Sequence, residues 1–151
     1  MLIKRLIEPK IKEALIRVKN EVIILYGPRQ AGKTTLIQSI KRDLEKTSAK
    51  IILFSGDDLF AQDLFSRNDL AALRRIVAGG EYIIIDEAQR IENVGLSLKL
   101  IVDSLPVKIL VSGSSSLELA NKISEPLTGR TRTFWLYPLS WAEVSEKYRM
   151  V

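Results

Sequence analysis

The chain has 151 residues, of which 46% are hydrophobic, and a formal net charge of +5. This length allows one domain with a single core, and no apolar run approaches the roughly 18 residues of a membrane-spanning helix. Cysteine and histidine are both absent, which excludes disulfides, zinc clusters and every thiol- or imidazole-dependent mechanism. Any bound metal is therefore expected to be a hard, oxygen-ligated ion such as Mg²⁺.

The N-terminal segment and the distribution of charge bear on location and on macromolecular partners. Residues 1–8 interrupt their apolar side chains with charge and lack a small-residue cleavage site, so they do not fit a secretory signal. We expect a cytoplasmic protein without a membrane partner. The basic residues are scattered along several predicted helices, whereas nucleic-acid binding calls for a clustered basic surface. Nucleic acid stays an open alternative, and a nucleotide site explains local positive charge more simply.

The first predicted element is a helix over residues 9–19, where apolar residues recur at helical spacing behind Pro9. The apolar run 22–26 predicts a buried strand, and a second strand is predicted at residues 51–54. Between these strands the chain carries a glycine-containing loop, residues 27–35, and then an amphipathic helix. The buried residues of that helix are expected to be Leu36, Ile37, Ile40 and Leu44.

A further helix is predicted over residues 66–78, with Ser66 and Asp69 at capping-box spacing and Gly79-Gly80 as its stop. Its inward residues are expected to be Leu70, Leu73, Ile76 and Val77. The later elements are a strand at 82–85, a helix ending near Ser104, a strand at 107–111, a helix from Ser115 to about Pro126, a strand at 133–137 and a short helix from Ser140. Strands that alternate with helices predict an α/β fold, in which helices cover both faces of a five-stranded parallel sheet.

The loop after the first strand has the strongest functional pattern. Its sequence, Gly27-Pro28-Arg29-Gln30-Ala31-Gly32-Lys33-Thr34-Thr35, fits G-x-x-x-x-G-K-[ST]. Between a strand and a helix, such a loop aims backbone N–H groups at a polyphosphate, and all nine residues are candidate nucleotide-binding residues. Lys33 is expected to reach the β- and γ-phosphates and Thr34 to hold Mg²⁺. Gly27 and Gly32 are expected to permit tight curvature and close approach to phosphate oxygens.

The second strong pattern is Asp86-Glu87, which directly follows the apolar run 82–85. Open parallel sheets place ligands at the carboxyl ends of their strands. We expect Asp86 to hold Mg²⁺ and Glu87 to act as the general base for an attacking water. Taken alone, the pair could be a charged strand exit, but its position downstream of a phosphate loop favours the catalytic interpretation.

Two weaker patterns lie further along the chain. A serine after the fourth strand could sense the γ-phosphate; Ser114 is preferred to Ser112, and helix capping by Ser114 or Ser115 is the alternative. Arg130 and Arg132 could stabilise transition-state charge, in cis or across a subunit boundary. A solvated basic edge explains the two arginines equally well.

The motifs together resemble the AAA+ core of the prokaryotic AAA-family ATPases, which are predicted archaeal and bacterial ATPases. The segments that carry the resemblance are 27–35, Ile83–Gln89, Val111–Ser115, Leu127–Thr131 and Tyr137–Ser140. The resemblance implies a P-loop NTPase three-layer sandwich with sheet order 5-1-4-3-2 and Mg²⁺-dependent ATP hydrolysis. It also implies a C-terminal companion domain, of DNA-binding or nuclease-like type. On this basis we expect residues 1–151 to be a single AAA+ core, a fragment that lacks the helical lid.

Three functions remain open at this level. The leading one is an ATPase whose activity serves another protein, a second copy or a companion domain, with Lys33, Glu87 and Arg130 as catalytic residues. The others are an ATP-binding switch with little hydrolysis and a P-loop kinase. Adenine is favoured over guanine because Asn121-Lys122-Ile123-Ser124 lacks the terminal aspartate of the guanine-binding motif.

Overall fold

Five strands and seven α-helices form over residues 2–114 and 117–149, which are the residues that the computed structural model describes. The strands are β1 Val22–Gly27, β2 Ile51–Ser55, β3 Tyr82–Asp86, β4 Lys108–Ser114 and β5 Thr131–Trp135. The helices are α1 Glu8–Arg17, α2 Lys33–Glu45, α3 Leu59–Ser66, α4 Leu70–Val77, α5 Val94–Ser104, α6 Leu117–Ser124 and α7 Trp141–Arg149. A short 3₁₀ helix, Ala88–Arg90, follows β3.

The strands make one parallel sheet in the order β2-β3-β4-β1-β5. The predicted order 5-1-4-3-2 is confirmed, since it is the same order read from the other edge. Strand β1 lies between β4 and β5, with Leu25 opposite Ser112 on one side and opposite Phe134 on the other. Because the strands are parallel, the ends of β1, β3 and β4 meet at one edge of the sheet, and this edge carries the predicted site.

Alternation along the buried strands divides the core into two layers. In β1, Ile24 packs with the layer formed by α3, α4, α5 and α6, and Ile23 packs with the layer formed by α1 and α2. Ile85 and Ile84 divide in the same way in β3. The sandwich of helix, sheet and helix expected from the sequence is therefore confirmed.

The stretch after β2 differs most from the prediction. Helix α3 was not predicted; it begins after Asp58, whose side chain accepts a hydrogen bond from the amide of Phe60. The single predicted helix 66–78 is wrong at its start, because α3 ends at Ser66 and α4 begins at Leu70. Asp69 is the N-cap of α4 and accepts from two backbone amides, so the predicted capping box does not form. Ile76, predicted to be inward, is 40% exposed.

The last strand also starts earlier than predicted. Strand β5 covers Thr131–Trp135 instead of residues 133–137, because its pairing with β1 begins at Thr131 opposite Val22. Tyr137 lies beyond the strand and is 68% exposed. The predicted cap at Ser115 lies outside the described residues. None of the helices within the described ranges is long and apolar enough to cross a membrane.

Candidate phosphate-binding and catalytic site

The loop between β1 and α2 has the backbone conformation of an anion-binding site. Gln30 and Gly32 adopt positive φ angles of 62° and 95°, and Gly32 is the N-cap residue of α2. Backbone that turns through left-handed residues gathers N–H groups into a concave nest. The first amides of α2 also lack partners within the helix and carry its positive dipole end. The curvature predicted for Gly32 is confirmed.

Gly27 is required by a contact that the sequence did not predict, while its approach to phosphate oxygens stays a prediction. It does not adopt a positive φ, and a Cβ there would lie 2.5 Å from the carbonyl oxygen of Leu136. The amide of Leu136 donates to the carbonyl of Tyr26 at 2.7 Å, which brings the chain after β5 directly against the start of the loop. Glycine at this position therefore accommodates the neighbouring backbone.

Lys33 lies inside the loop. Its side chain is buried, with 5% of the residue exposed, and its Nζ donates to the carbonyl oxygens of Gly27 at 2.8 Å and Pro28 at 2.9 Å. The loop thus wraps around an ammonium group, a type of donor that can make charge-assisted hydrogen bonds to an anion.

A side-chain contact joins the loop to the end of β3. Thr34 Oγ1 donates to Asp86 Oδ2 at 2.7 Å. The other carboxylate oxygen, Oδ1, accepts from the buried Ser112 hydroxyl and from the amide of Glu87. Two residues that lie far apart in the sequence and were both predicted to hold Mg²⁺ are therefore neighbours.

These oxygen donors suit a magnesium ion. Mg²⁺ is commonly held by one or two carboxylates, with phosphate oxygens and water completing its octahedron. The hydroxyl of Thr34 donates a hydrogen bond to Asp86, which leaves the lone pairs of Thr34 Oγ1 available to a cation. Within the described residues no group of three or more acidic side chains, cysteines or histidines gathers to hold a metal on its own.

Glu87 occupies a tight turn directly after β3. Its φ of 54° is left-handed, and its amide donates both to Asp86 Oδ1 at 3.1 Å and to Ser112 Oγ at 3.3 Å. The turn packs closely on Gly56, where a Cβ would lie 2.0 Å from the carbonyl oxygen of Glu87. Gly56 was missed as a site residue because its own neighbours suggest only a polar turn.

The two candidate sensor serines have different positions. Ser112 is fully buried; its hydroxyl donates a hydrogen bond to Asp86 Oδ1 and accepts one from the amide of Glu87. Ser114 is half-buried at the end of β4, where its backbone lies opposite Gly27, the first loop residue. Ser114 is therefore next to the phosphate loop, and its role as the sensor stays a prediction.

Arg130 lies away from the loop. It directly precedes β5, and its carbonyl accepts from the amide of Val22 at the start of β1, whereas the loop follows the end of that strand. The length of β1 separates the two positions by roughly 16 Å. The side chain of Arg130 pairs with Asp103. The expectation that Arg130 acts in cis is therefore wrong for this geometry, and a role across a subunit boundary stays a prediction.

A cavity of about 410 Å³ adjoins the loop. Residues from the N-terminal segment, the loop with the start of α2, and the segment after β5 line it, among them Leu2, Ile3, Gln30, Thr35, Pro138 and Leu139. Its apolar walls and its contact with the phosphate loop suit a nucleoside base and sugar.

Arg5 contacts the phosphate loop beside the cavity, a contact that the sequence did not reveal. Its guanidinium donates to the carbonyl oxygen of Ala31 at 2.7 Å, to that of Tyr137, and to Glu143 Oε1 at 2.9 Å. The contact unites the N-terminal segment, the loop and α7. No local pattern signals it, because Arg5 and Glu143 are separated by almost the whole chain.

Glu143 is held in its charged form. Burial alone would raise the pKa of its carboxyl, but hydrogen bonds from the Ser140 amide, the Arg5 guanidinium, the Leu6 amide and the Ser140 hydroxyl outweigh burial and lower the pKa to about 2. An unfolded chain, with an ordinary pKa of 4.5, binds this proton more tightly. Glu143 therefore stabilises the fold above pH 4.5, and this contribution is lost as the pH falls towards 2.

We expect the parent protein to lose on the order of 3 kcal/mol of unfolding free energy from this one group between pH 5 and pH 2. Glu143→Gln should be less stable than the parent at pH 7, because Arg5 is left without its carboxylate. The difference in unfolding free energy between the two proteins should become smaller in acid. Denaturant unfolding at several pH values measures this. Glu13→Gln, which removes an exposed partner of Arg17, is the control; parallel losses of stability in parent and Glu143→Gln would contradict the assignment.

Comparisons with known proteins agree with this geometry. The AAA domain family model matches residues 19–145. The chain is 30% identical over 145 residues to an uncharacterised protein of Methanocaldococcus jannaschii, which covers 91% of this chain and 30% of that protein. It is 33% identical over 142 residues to an uncharacterised protein of Mycobacterium tuberculosis, covering 89% and 29% respectively. The chain thus spans less than a third of the length of these relatives.

Solved structures share the fold at low sequence identity. Pif1 helicase from Candida albicans superposes with a TM-score of 0.63 at 12% identity, over 99% of this chain and 43% of that one. AMPPCP-bound DnaA from Aquifex aeolicus gives a TM-score of 0.58 at 19% identity, over 96% and 49%. With the loop, the Asp86-Glu87 turn and the sheet order already described, the match over residues 19–145 shows that this chain belongs to the AAA domain family and has a P-loop NTPase fold.

Proposed function

We propose that residues 1–151 form a nucleotide-binding core that binds ATP with Mg²⁺ and hydrolyses it. The observation that carries this proposal is the 2.7 Å contact between Thr34 of the loop and Asp86. It joins the loop after β1 to a carboxylate at the end of β3, which β4 separates from β1 in the sheet, and a second carboxylate, Glu87, follows one residue further on. Family membership supports nucleotide binding in general, and the Thr34–Asp86 contact supports the metal-dependent form of it.

The residues would divide the work as follows. The loop amides and Lys33 would bind and orient the triphosphate, and Thr34 with Asp86 would hold Mg²⁺, which would supply positive charge to the phosphates. Glu87 accepts a proton from a water molecule whose oxygen attacks the γ-phosphorus. The bond from that phosphorus to the bridging oxygen breaks, which releases phosphate and ADP.

The choice of adenine rests on the cavity beside the loop, on one comparison and on a missing guanine-binding carboxylate. The pocket formed by Leu2, Ile3, Pro138 and Leu139 is mostly apolar, which suits a base held by its faces. DnaA, which has a similar fold, was solved with AMPPCP bound. The carboxylate that would pair with guanine is absent from Asn121–Ser124, which lies within α6.

Nucleotide titrations followed by thermal unfolding test the proposal. ATP with Mg²⁺ at 100 times its Kd should add about 2.7 kcal/mol to the unfolding free energy, and GTP should add much less at the same concentration. In a single-turnover reaction phosphate should appear with Mg²⁺ and not with excess EDTA. Equal stabilisation by GTP would overturn the adenine assignment, and no stabilisation by either nucleotide would overturn nucleotide binding.

The same single-turnover reaction separates the alternatives. Tight ATP binding without phosphate release would favour an ATP-binding switch over an ATPase. Transfer of the phosphoryl group to an acceptor other than water would favour a kinase.

A further inference from the structure

The side chain of Gln89 ends in a buried amide beside the turn formed by Asp86 and Glu87. This residue lies in the 3₁₀ helix two residues after Glu87 and is 7% exposed. Its Nε2 donates to Glu87 Oε2 at 2.5 Å. Its other amide atom, Oε1, is buried and has no hydrogen-bond partner among the residues that the structure describes.

Residues of β4 and α6 surround Gln89. A Cβ on Gly113 of β4 would lie 2.9 Å from Gln89 Oε1 and 2.3 Å from a methyl group of Leu119 in α6, so glycine there leaves the space that the amide fills. Lys122 Nζ of α6 donates to the backbone carbonyl of Gln89 at 2.6 Å. The 3₁₀ helix is thereby fastened to α6.

The arrangement is costly for stability. A buried acceptor without a donor costs free energy, and such groups are rare in folded proteins. Rotating the amide by 180° would bring Oε1 against the carboxylate of Glu87, with two acceptors facing each other and no proton between them. The orientation that serves Glu87 is therefore the one that leaves Oε1 without a donor. An apolar side chain of similar length would fill the same volume without this cost.

We propose that Gln89 is a positioning residue for hydrolysis, whose amide fixes the carboxylate of Glu87 at the cost of a buried, unpaired oxygen. The proposal rests on the role of Glu87 as general base. Glu87 is only half-buried, and a glutamate with three free torsions samples several rotamers unless a neighbour holds it. Proton transfer requires the carboxylate within hydrogen-bond reach of the water, so an anchor on one oxygen leaves the other oriented for that task.

Gln89→Met in the full chain tests the proposal, because methionine keeps the length and volume and removes both amide atoms. Single-turnover hydrolysis of ATP with Mg²⁺ should fall by about tenfold to a hundredfold, as expected for a misplaced catalytic group. The Kd for ATP should stay within about twofold, and the folding equilibrium constant should be unchanged or larger. Gln38→Met, the same change on the exposed face of α2, should alter none of the three.

The outcomes separate this inference from the proposed function. If Glu87→Gln is inactive while Gln89→Met hydrolyses at the parent rate, the positioning role alone is overturned. If Glu87→Gln still hydrolyses at the parent rate, the general base is wrong and the inference loses its basis. A Gln89→Met protein that is less stable and binds ATP more weakly would show the amide to be structural, which also overturns the inference.

A thermodynamic cycle tests the contact without relying on turnover. Gln89→Met is introduced into the parent and into Glu87→Ala, and the folding equilibrium constants of all four proteins are measured. Since the amide has no carboxylate to hold in the Glu87→Ala background, the substitution should raise the folding constant more there than in the parent. Equal changes in the two backgrounds would show that the two side chains do not interact, and the proposal would fall.

Discussion

Glu87→Gln is expected to keep ATP affinity within about twofold of the parent and to lower single-turnover hydrolysis by about 10²- to 10⁴-fold. Glutamine has the shape of glutamate and still presents an oxygen to the Gln89 amide, so the contact at 2.5 Å has an acceptor in the variant. The hydrogen bonds from the Glu87 amide to Asp86 and Ser112 involve only the backbone at this position. The substitution therefore removes a proton acceptor without dismantling the turn.

The matched control is Glu92→Gln, which makes the same chemical change at an exposed position beyond the 3₁₀ helix. It should leave both affinity and hydrolysis at parent values. Trapping of unhydrolysed ATP in the Glu87→Gln protein, shown by recovering the intact nucleotide after a single-turnover incubation, would support the assignment. Hydrolysis at the parent rate by Glu87→Gln would mean that another group accepts the proton.

Lys33→Ala should weaken ATP binding by about 10- to 100-fold or more, because charge-assisted hydrogen bonds to phosphate contribute about 1.5–3 kcal/mol each. At an ATP concentration of 100 times the parent's Kd, the stabilisation of about 2.7 kcal/mol should fall to about 0.4–1.4 kcal/mol. The variant should also be less stable without nucleotide, since Gly27 and Pro28 lose the donor that satisfies their carbonyl oxygens. Calorimetric titration and denaturant unfolding measure the two effects separately.

Lys46→Ala is the control for the lost charge. Lys46 follows α2 directly, its side chain is largely exposed, and it pairs with Asp43 at 2.8 Å. Removing it changes the net charge of the protein by the same amount as Lys33→Ala but should leave ATP affinity unchanged. An affinity of the Lys33→Ala protein equal to that of the parent would contradict the phosphate-binding role of the loop.

The sheet and most helices could be predicted because their signals are local. The buried strands are continuous apolar runs, and α1, α2 and α5 show one apolar face at helical spacing. The two helices between β2 and β3 could not be separated from the sequence. Asp58 and Asp69 each cap the start of a helix. The break between the helices lies at Asn68, which adopts a left-handed φ of 54°. A short polar side chain tolerates that conformation, and its sequence neighbours do not mark it as a helix end.

The nine-residue loop and the Asp86-Glu87 pair were evident from the sequence alone, because a phosphate site needs glycines, a lysine and a hydroxyl at set spacing and a metal needs a carboxylate at a strand end. Only the tertiary structure showed that Thr34 reaches Asp86. It also showed that Arg5 and Glu143, from opposite ends of the chain, meet beside the loop. Arg130 proved to lie at the amino-terminal ends of the strands, opposite the loop. The contacts of Gly56, Gly113 and Gln89 were likewise visible only in the tertiary structure. Their roles come from contacts across strands and helices, and the register of a parallel sheet decides which distant residues meet.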